Sequence, residues 1–149
     1  MSLRLTILRH AHASDAAVGT QDFDRPLSAA GREAALALGN RFRDALESPD
    51  RLRVSPALRT RETAQRVGAA AFPALSLDLA PALYLASLGT LLKEIAATPA
   101  SCRHLMIVGH NPGLSELWAV VGDEPGFPGL APCEWRSRAF DSPDWTSIR

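Results

Sequence analysis

Three short polar clusters interrupt an otherwise apolar pattern: Arg9-His10-Ala11-His12, Ser55-Pro56-Ala57-Leu58-Arg59 and Gly109-His110-Asn111-Pro112. A neutral imidazole is a competent nucleophile near pH 7, and a guanidinium presents a planar fork of donors that matches two phosphoryl oxygens. Arg59 falls in the first turn of an expected helix, where the partial positive charge of the backbone disfavours a cation by up to about 1 kcal/mol. An anion bound at the same helix start reverses that sign, because free N–H groups and the guanidinium both donate to it. The alternative for Arg59 is an ion pair with Glu62 or a loop carboxylate. His10 alone reads as well as a hydrogen-bonded structural histidine; the recurrence of a histidine, His110, at a second strand end favours a shared site. Together the clusters describe phosphoryl transfer, with His10 attacking phosphorus and Arg9, Arg59 and His110 binding the equatorial oxygens. This chemistry requires no metal and no cofactor. His12 is a further candidate for substrate contact, against the alternative of a solvated loop side chain.

Each cluster directly follows an expected strand. Leu3 to Leu8 is a short apolar run, Arg51 to Val54 a second, Leu75 to Leu79 a third, and Leu105 to Val108 a fourth. Between them lie helical patterns. Ser28 caps one in which Ala35, Leu38, Phe42 and Ala45 recur. Ser55-Pro56 supplies a cap and a first-turn proline for another through about Ala71, and Ser87 to Ala97 and Leu114 to Val121 complete the set. Alternating strands and helices imply an α/β fold, a three-layer α/β/α sandwich with a mostly parallel sheet. Ligands bind at the carboxyl edge of such sheets, so the three clusters are expected to meet. From Cys133 to Arg149 no period is visible.

The 149 residues fit one domain, 1–149, which at this size buries about two thirds of its unfolded surface. Lys plus Arg and Asp plus Glu are both 16, so no global field draws the chain to nucleic acid or anionic lipid. Any anion site must be local. Two cysteines without Cys-x-x-Cys spacing read as free thiols, and the absence of a signal-peptide pattern or a long apolar run makes a cytoplasmic protein the expectation.

The motifs resemble those of the histidine phosphatase superfamily, also called phosphoglycerate mutase-like. Its N-terminal Arg-His-Gly reads Arg9-His10-Ala11 here, its second arginine motif is similar to residues 55–64, and its second histidine motif to Val108-Gly109-His110-Asn111-Pro112. The length, together with Asp24-Arg25-Pro26-Leu27-Ser28 and Gly31, most resembles SixA-type phosphohistidine phosphatases. The resemblance implies that His10 is the nucleophile, Arg9 and Arg59 are phosphate ligands and His110 is the second pocket histidine. It implies a phosphohistidine protein or a small phosphorylated compound as partner, within signal transduction for the former. Larger members carry an acidic proton donor after the second-arginine helix. Residues 79–90 hold no carboxylate, leaving Asp78 as the nearest candidate. A missing acid matters little for an imidazole leaving group and much for an alkyl phosphate. Family members also commonly continue past the equivalent of Trp145 into another strand, and an edge left open here would favour a weak homodimer.

Rival readings are a metal hydrolase built on the His10-x-His12 pair, a small-molecule phosphomonoesterase of the same family, and a phosphate or phosphoprotein binder that does not turn over.

Overall fold

A computed structural model of the protein describes residues 2–149. Strands β1 (Ser2–Arg9), β2 (Arg51–Val54), β3 (Leu77–Leu79), β4 (His104–Gly109) and β5 (Trp135–Asp141) form one sheet in the order β3-β2-β4-β1-β5. The first four are parallel, and β5 runs antiparallel to β1. Helices α1 (Ala29–Ala45), α2 (Leu58–Ala71), α3 (Leu88–Ala96) and α4 (Gly113–Val121) flank it.

Successive side chains of a strand point to opposite faces, so a strand covered on both sides must be apolar nearly throughout. In β1, Leu3, Leu5 and Ile7 enter a core with Leu91 and Ile95 of α3 and Leu114 and Leu117 of α4. Leu8 enters the opposite core, with Leu38 and Phe42 of α1 and Ala64 and Val67 of α2. In β4, Leu105 and Ile107 join the first core, and Met106 and Val108 the second. Burying each such side chain contributes roughly 1.5–3 kcal/mol. The result is the expected α/β/α sandwich.

Register fixes the site. Arg9 lies opposite Gly109 and Val54 opposite Val108, so β1, β2 and β4 end at one edge and deliver the three clusters there.

Some boundaries differ from the sequence expectation. Helix α2 starts at Leu58, with Ala57 at the cap position and no side-chain cap, rather than at Ser55-Pro56. Ser55 is drawn instead to His110, described below, and the Thr60 hydroxyl donates to the carbonyls of Ser55 and Ala57. The third strand is two residues shorter than expected, because the Leu75 N–H donates to the Phe72 carbonyl in a turn. Ser28 caps α1 as expected, accepting from Gly31 N–H, and Ser87, expected as the first residue of the third helix, is its cap and accepts from Thr90 N–H. Strand β5 lies where the sequence shows no period, since it is a half-exposed edge. Beyond it Trp145 is fully buried and its Nε1–H donates to the Cys102 carbonyl at 2.7 Å. Cys102 and Cys133 are free thiols. Among the described residues no helix is long and apolar enough to cross a membrane.

Helix α1 presses its first turn onto the loop that follows His10. The carbonyl of His12 accepts from Ser28 N–H at 3.0 Å, and a Cβ at Gly31 would stand 2.1 Å from that same oxygen. Gly31→Ala is therefore expected to lower unfolding free energy by about 1–3 kcal/mol in a urea titration, as overpacking does.

Candidate active site

Arg9, His10, His12, Arg25, Arg59, His110 and Asn111 line one cavity of about 330 Å³ at the carboxyl edge of the sheet, with Ala13, Asp15, Leu85 and Pro132. The candidates Arg9, His10, His12, Arg59 and His110 are all there. Three guanidiniums face it against one lining carboxylate, Asp15, so the field is locally positive although the chain is neutral.

His10 continues from β1, with its N–H donating to the Gly109 carbonyl and its own carbonyl accepting from Cys133 N–H. Its ring Nδ1 lies 2.7 Å from the Ala11 carbonyl. A carbonyl can only accept, so Nδ1 carries the proton and Nε2 keeps its lone pair. Burial is the main force lowering the His10 pKa to about 4, against the Ala11 hydrogen bond; Arg59, Arg9 and Arg25 lower it further. The imidazole is neutral at pH 7.

His110 sits 5.4 Å from His10, ring centre to ring centre. Its Nε2 shares a hydrogen bond with Ser55 Oγ at 2.7 Å, the hydroxyl being able to give or to accept the proton. Its Nδ1 is buried with no partner among the described residues. Burial, then Arg59, lower its pKa to about 3.

Arg59 is only 3% exposed. Its Nη1 donates to the Asp22 carbonyl at 2.8 Å and its Nη2 to the Asp22 carboxylate at 3.0 Å. The ion pair with a loop carboxylate thus exists, and the partner is Asp22 rather than Glu62, which binds Leu27 N–H and Arg66 instead. Asp22 takes two of the five guanidinium N–H groups, and the guanidinium also lines the cavity. Asp22 also accepts from Tyr84 Oη at 2.6 Å and from Arg25 at 3.1 Å. The Tyr84 hydrogen bond foremost, with those from Arg25 and Arg59, holds the Asp22 carboxyl well below the usual carboxylate range. Tyr84 packs its ring edge-on against His110, 5.5 Å away, tying the two arms of the site.

Arg9 Nη1 and Asn111 Nδ2 both donate to the Leu130 carbonyl, at 3.0 and 2.8 Å. The Gly- and Pro-rich stretch after α4 therefore forms a wall that orients Arg9, and Arg9 Nε is buried without a partner among the described residues. His12 is exposed, its Nδ1 2.8 Å from Ser28 Oγ, which places it at the rim. Asp78 is absent from the lining and bound to Arg51 at 2.7 Å on β3, away from the cavity. Among the described residues no group of three His, Cys, Asp or Glu side chains stands together as a metal site. Asp22, Arg25, Tyr84 and Leu130 were not singled out as site residues from the sequence; only Arg25, within Asp24-Arg25-Pro26, carried a signal.

These pKa directions have a common consequence. His10, His104 and His110 are each held at about 3–4 in the folded protein, chiefly by burial, against 6.5 unfolded. The unfolded chain binds more protons in that interval, so their contribution is complete above about pH 6.5 and is lost as pH falls toward 3–4. Histidine NMR titration is expected to give these three midpoints near or below 4, and unfolding free energy is expected to decline over the same window. A midpoint near 6.5 for His10 would contradict the burial described.

A family model of the histidine phosphatase superfamily (branch 1) matches residues 5–110, a span that holds Arg9, His10, Arg59 and His110. The chain belongs to that superfamily. The uncharacterized protein Rv1276c of Mycobacterium tuberculosis is 38% identical to this member over 109 residues, which are 72% of this chain and 66% of that one. The chain thus spans just under two thirds of that relative. A SixA protein from Agrobacterium tumefaciens superposes with a TM-score of 0.81 at 32% identity, covering 91% of this chain and 90% of its own. The protein histidine phosphatase SixA complexed with tungstate superposes with a TM-score of 0.78 at 26% identity, covering 91% and 86%. A mycobacterial glucosyl-3-phosphoglycerate phosphatase, at 19% identity and a TM-score of 0.74, shares the fold over 100% of this chain and 96% of its own. This histidine phosphatase superfamily member is therefore similar both to SixA-type phosphohistidine phosphatases and to the phosphoglycerate mutase-like fold at large.

Proposed function

We propose that this protein is a phosphatase that works through a phosphohistidine on His10, and that its substrate is a phosphohistidine in another protein. The observation that carries this is the tethered His10 ring: Nδ1–H is held by the Ala11 carbonyl, so the lone pair belongs to Nε2 of a ring lining the cavity. In the first step Nε2 attacks phosphorus, the bond from phosphorus to the substrate nitrogen breaks, and imidazole leaves with the bonding pair. It leaves as a neutral group when its other nitrogen already carries a proton. Arg9 and Arg59 bind the equatorial oxygens, and the partnerless Nδ1 of His110 donates to a third in the tautomer that carries its proton there. Water then attacks the phosphorylated His10, inorganic phosphate departs, and the electron pair returns to Nε2.

The choice of leaving group rests on the carboxylates. Asp22 is kept ionised by its hydrogen bonds, Asp78 is committed to Arg51, and Asp15 stands at the exposed rim. None is a buried carboxyl group held over the site to assist an alkoxide, whereas an imidazole leaves without such help. SixA, described as a protein histidine phosphatase and complexed with tungstate, is consistent with this substrate class and with binding of a tetrahedral oxyanion.

The test compares turnover of a phosphohistidine-bearing protein with that of a panel of phosphate esters. The expected result is preference for the phosphohistidine; faster release from alkyl esters would contradict the assignment.

A further inference from the structure

Leu85 is unusual in two ways at once. Its side chain is 54% exposed, and its backbone is in the left-handed region at φ 48°, a conformation ordinarily left to Gly or Asn. Both of its neighbours are anchored. On one side Tyr84 donates to Asp22 and packs against His110. On the other, the Ala86 carbonyl is pressed onto the start of α4, where a Cβ at Gly113 would stand 2.1 Å from it. With both ends fixed, the chain turns sharply at Leu85 and casts the side chain outward, while nearby Leu83 and Leu88 pack into the core. Strain of this kind, kept at a cavity mouth, is a pointer to function.

Among the described residues lining the cavity, Leu85 is the only large aliphatic side chain. The phosphoryl group has no use for it, since the guanidiniums and imidazoles serve the oxygens. What Leu85 can contact is the group attached to phosphorus as it lies in the mouth.

We propose that Leu85 is a specificity-determining residue that packs against the ring of the leaving group, favouring a phosphorylated imidazole over small phosphorylated amines. This rests on the function proposed above and adds the residue by which the ring is recognised.

The experiment measures kcat/KM for a phosphohistidine peptide and for phosphoramidate, in the unmutated protein and in Leu85→Gly and Leu85→Asn. Both substrates pass the phosphoryl group to His10 Nε2 as a phosphorus–nitrogen bond breaks, releasing imidazole in one case and ammonia in the other. Glycine and asparagine accept the left-handed backbone, so neither variant is expected to lower the thermal midpoint, which excludes misfolding as the cause of a change. The ratio of the two kcat/KM values is expected to fall about tenfold in both variants, the scale of one apolar contact in discrimination. A ratio unchanged within about twofold in the folded variants would overturn the role of Leu85. An unmutated protein that hydrolyses esters but neither nitrogen compound would overturn the proposed function itself, and this inference with it; that failure is distinguishable because it appears before any substitution.

Discussion

His10→Ala is expected to lower kcat/KM by on the order of 10⁵-fold, the scale seen when a nucleophile that forms the covalent bond is removed. No neighbour takes over. His110 is 5.4 Å away between ring centres and its Nε2 is occupied by Ser55, while His12 is held at the rim by Ser28. The fold should survive, because the substitution removes a single hydrogen bond to the Ala11 carbonyl, worth about 0.5–1.5 kcal/mol. Stopped turnover together with a retained thermal transition is the expected pair of observations. Activity within tenfold of the unmutated protein would remove His10 from the mechanism.

Arg59→Ala carries the second largest effect, a fall in kcat of about 10²- to 10³-fold, as when a preorganised donor to the transition state is lost. The guanidinium does two things at once. It binds both the carbonyl and the carboxylate of Asp22, which holds its plane, and it lines the cavity with donors that Asp22 does not use. A lysine supplies the charge but not the fork, so Arg59→Lys is expected to recover less than about tenfold of the loss. Inhibition by inorganic phosphate, measured alongside kcat, separates lost binding from lost transition-state stabilisation. If Arg59→Lys restores full activity, the guanidinium acts only as a point charge and its tether to Asp22 has no catalytic meaning.

The parts legible in the sequence are those fixed by local pattern. Unbroken apolar runs such as Leu105 to Val108 announce strands covered on both faces, and the polar residues directly after them mark the sheet edge where β1, β2 and β4 end together. Ser28 is readable as a cap because a cap is a local bond. Ser55 was misread for a physical reason: the same hydroxyl can cap a helix or hold a histidine, and here His110, 55 positions away, takes it. Asp22 and Tyr84 were invisible in the same way, since they meet across 62 positions from loops without periodicity. The carbonyl of Leu130, which orients Arg9 and Asn111, carries no side-chain signal at all. Strand β5 went unseen because it is an edge with both faces partly open to water.

The central claim is a covalent bond between phosphorus and Nε2 of His10, and trapping that intermediate tests it most directly. The protein is mixed with a phosphorylated substrate, quenched within a turnover in alkali, where phosphohistidine persists, and its peptides are mapped by mass spectrometry. A phosphoryl group on His10, lost on brief acid treatment and absent from His10→Ala, is the predicted result. Continued turnover with no adduct, or with the adduct on His12 or His110, would contradict it.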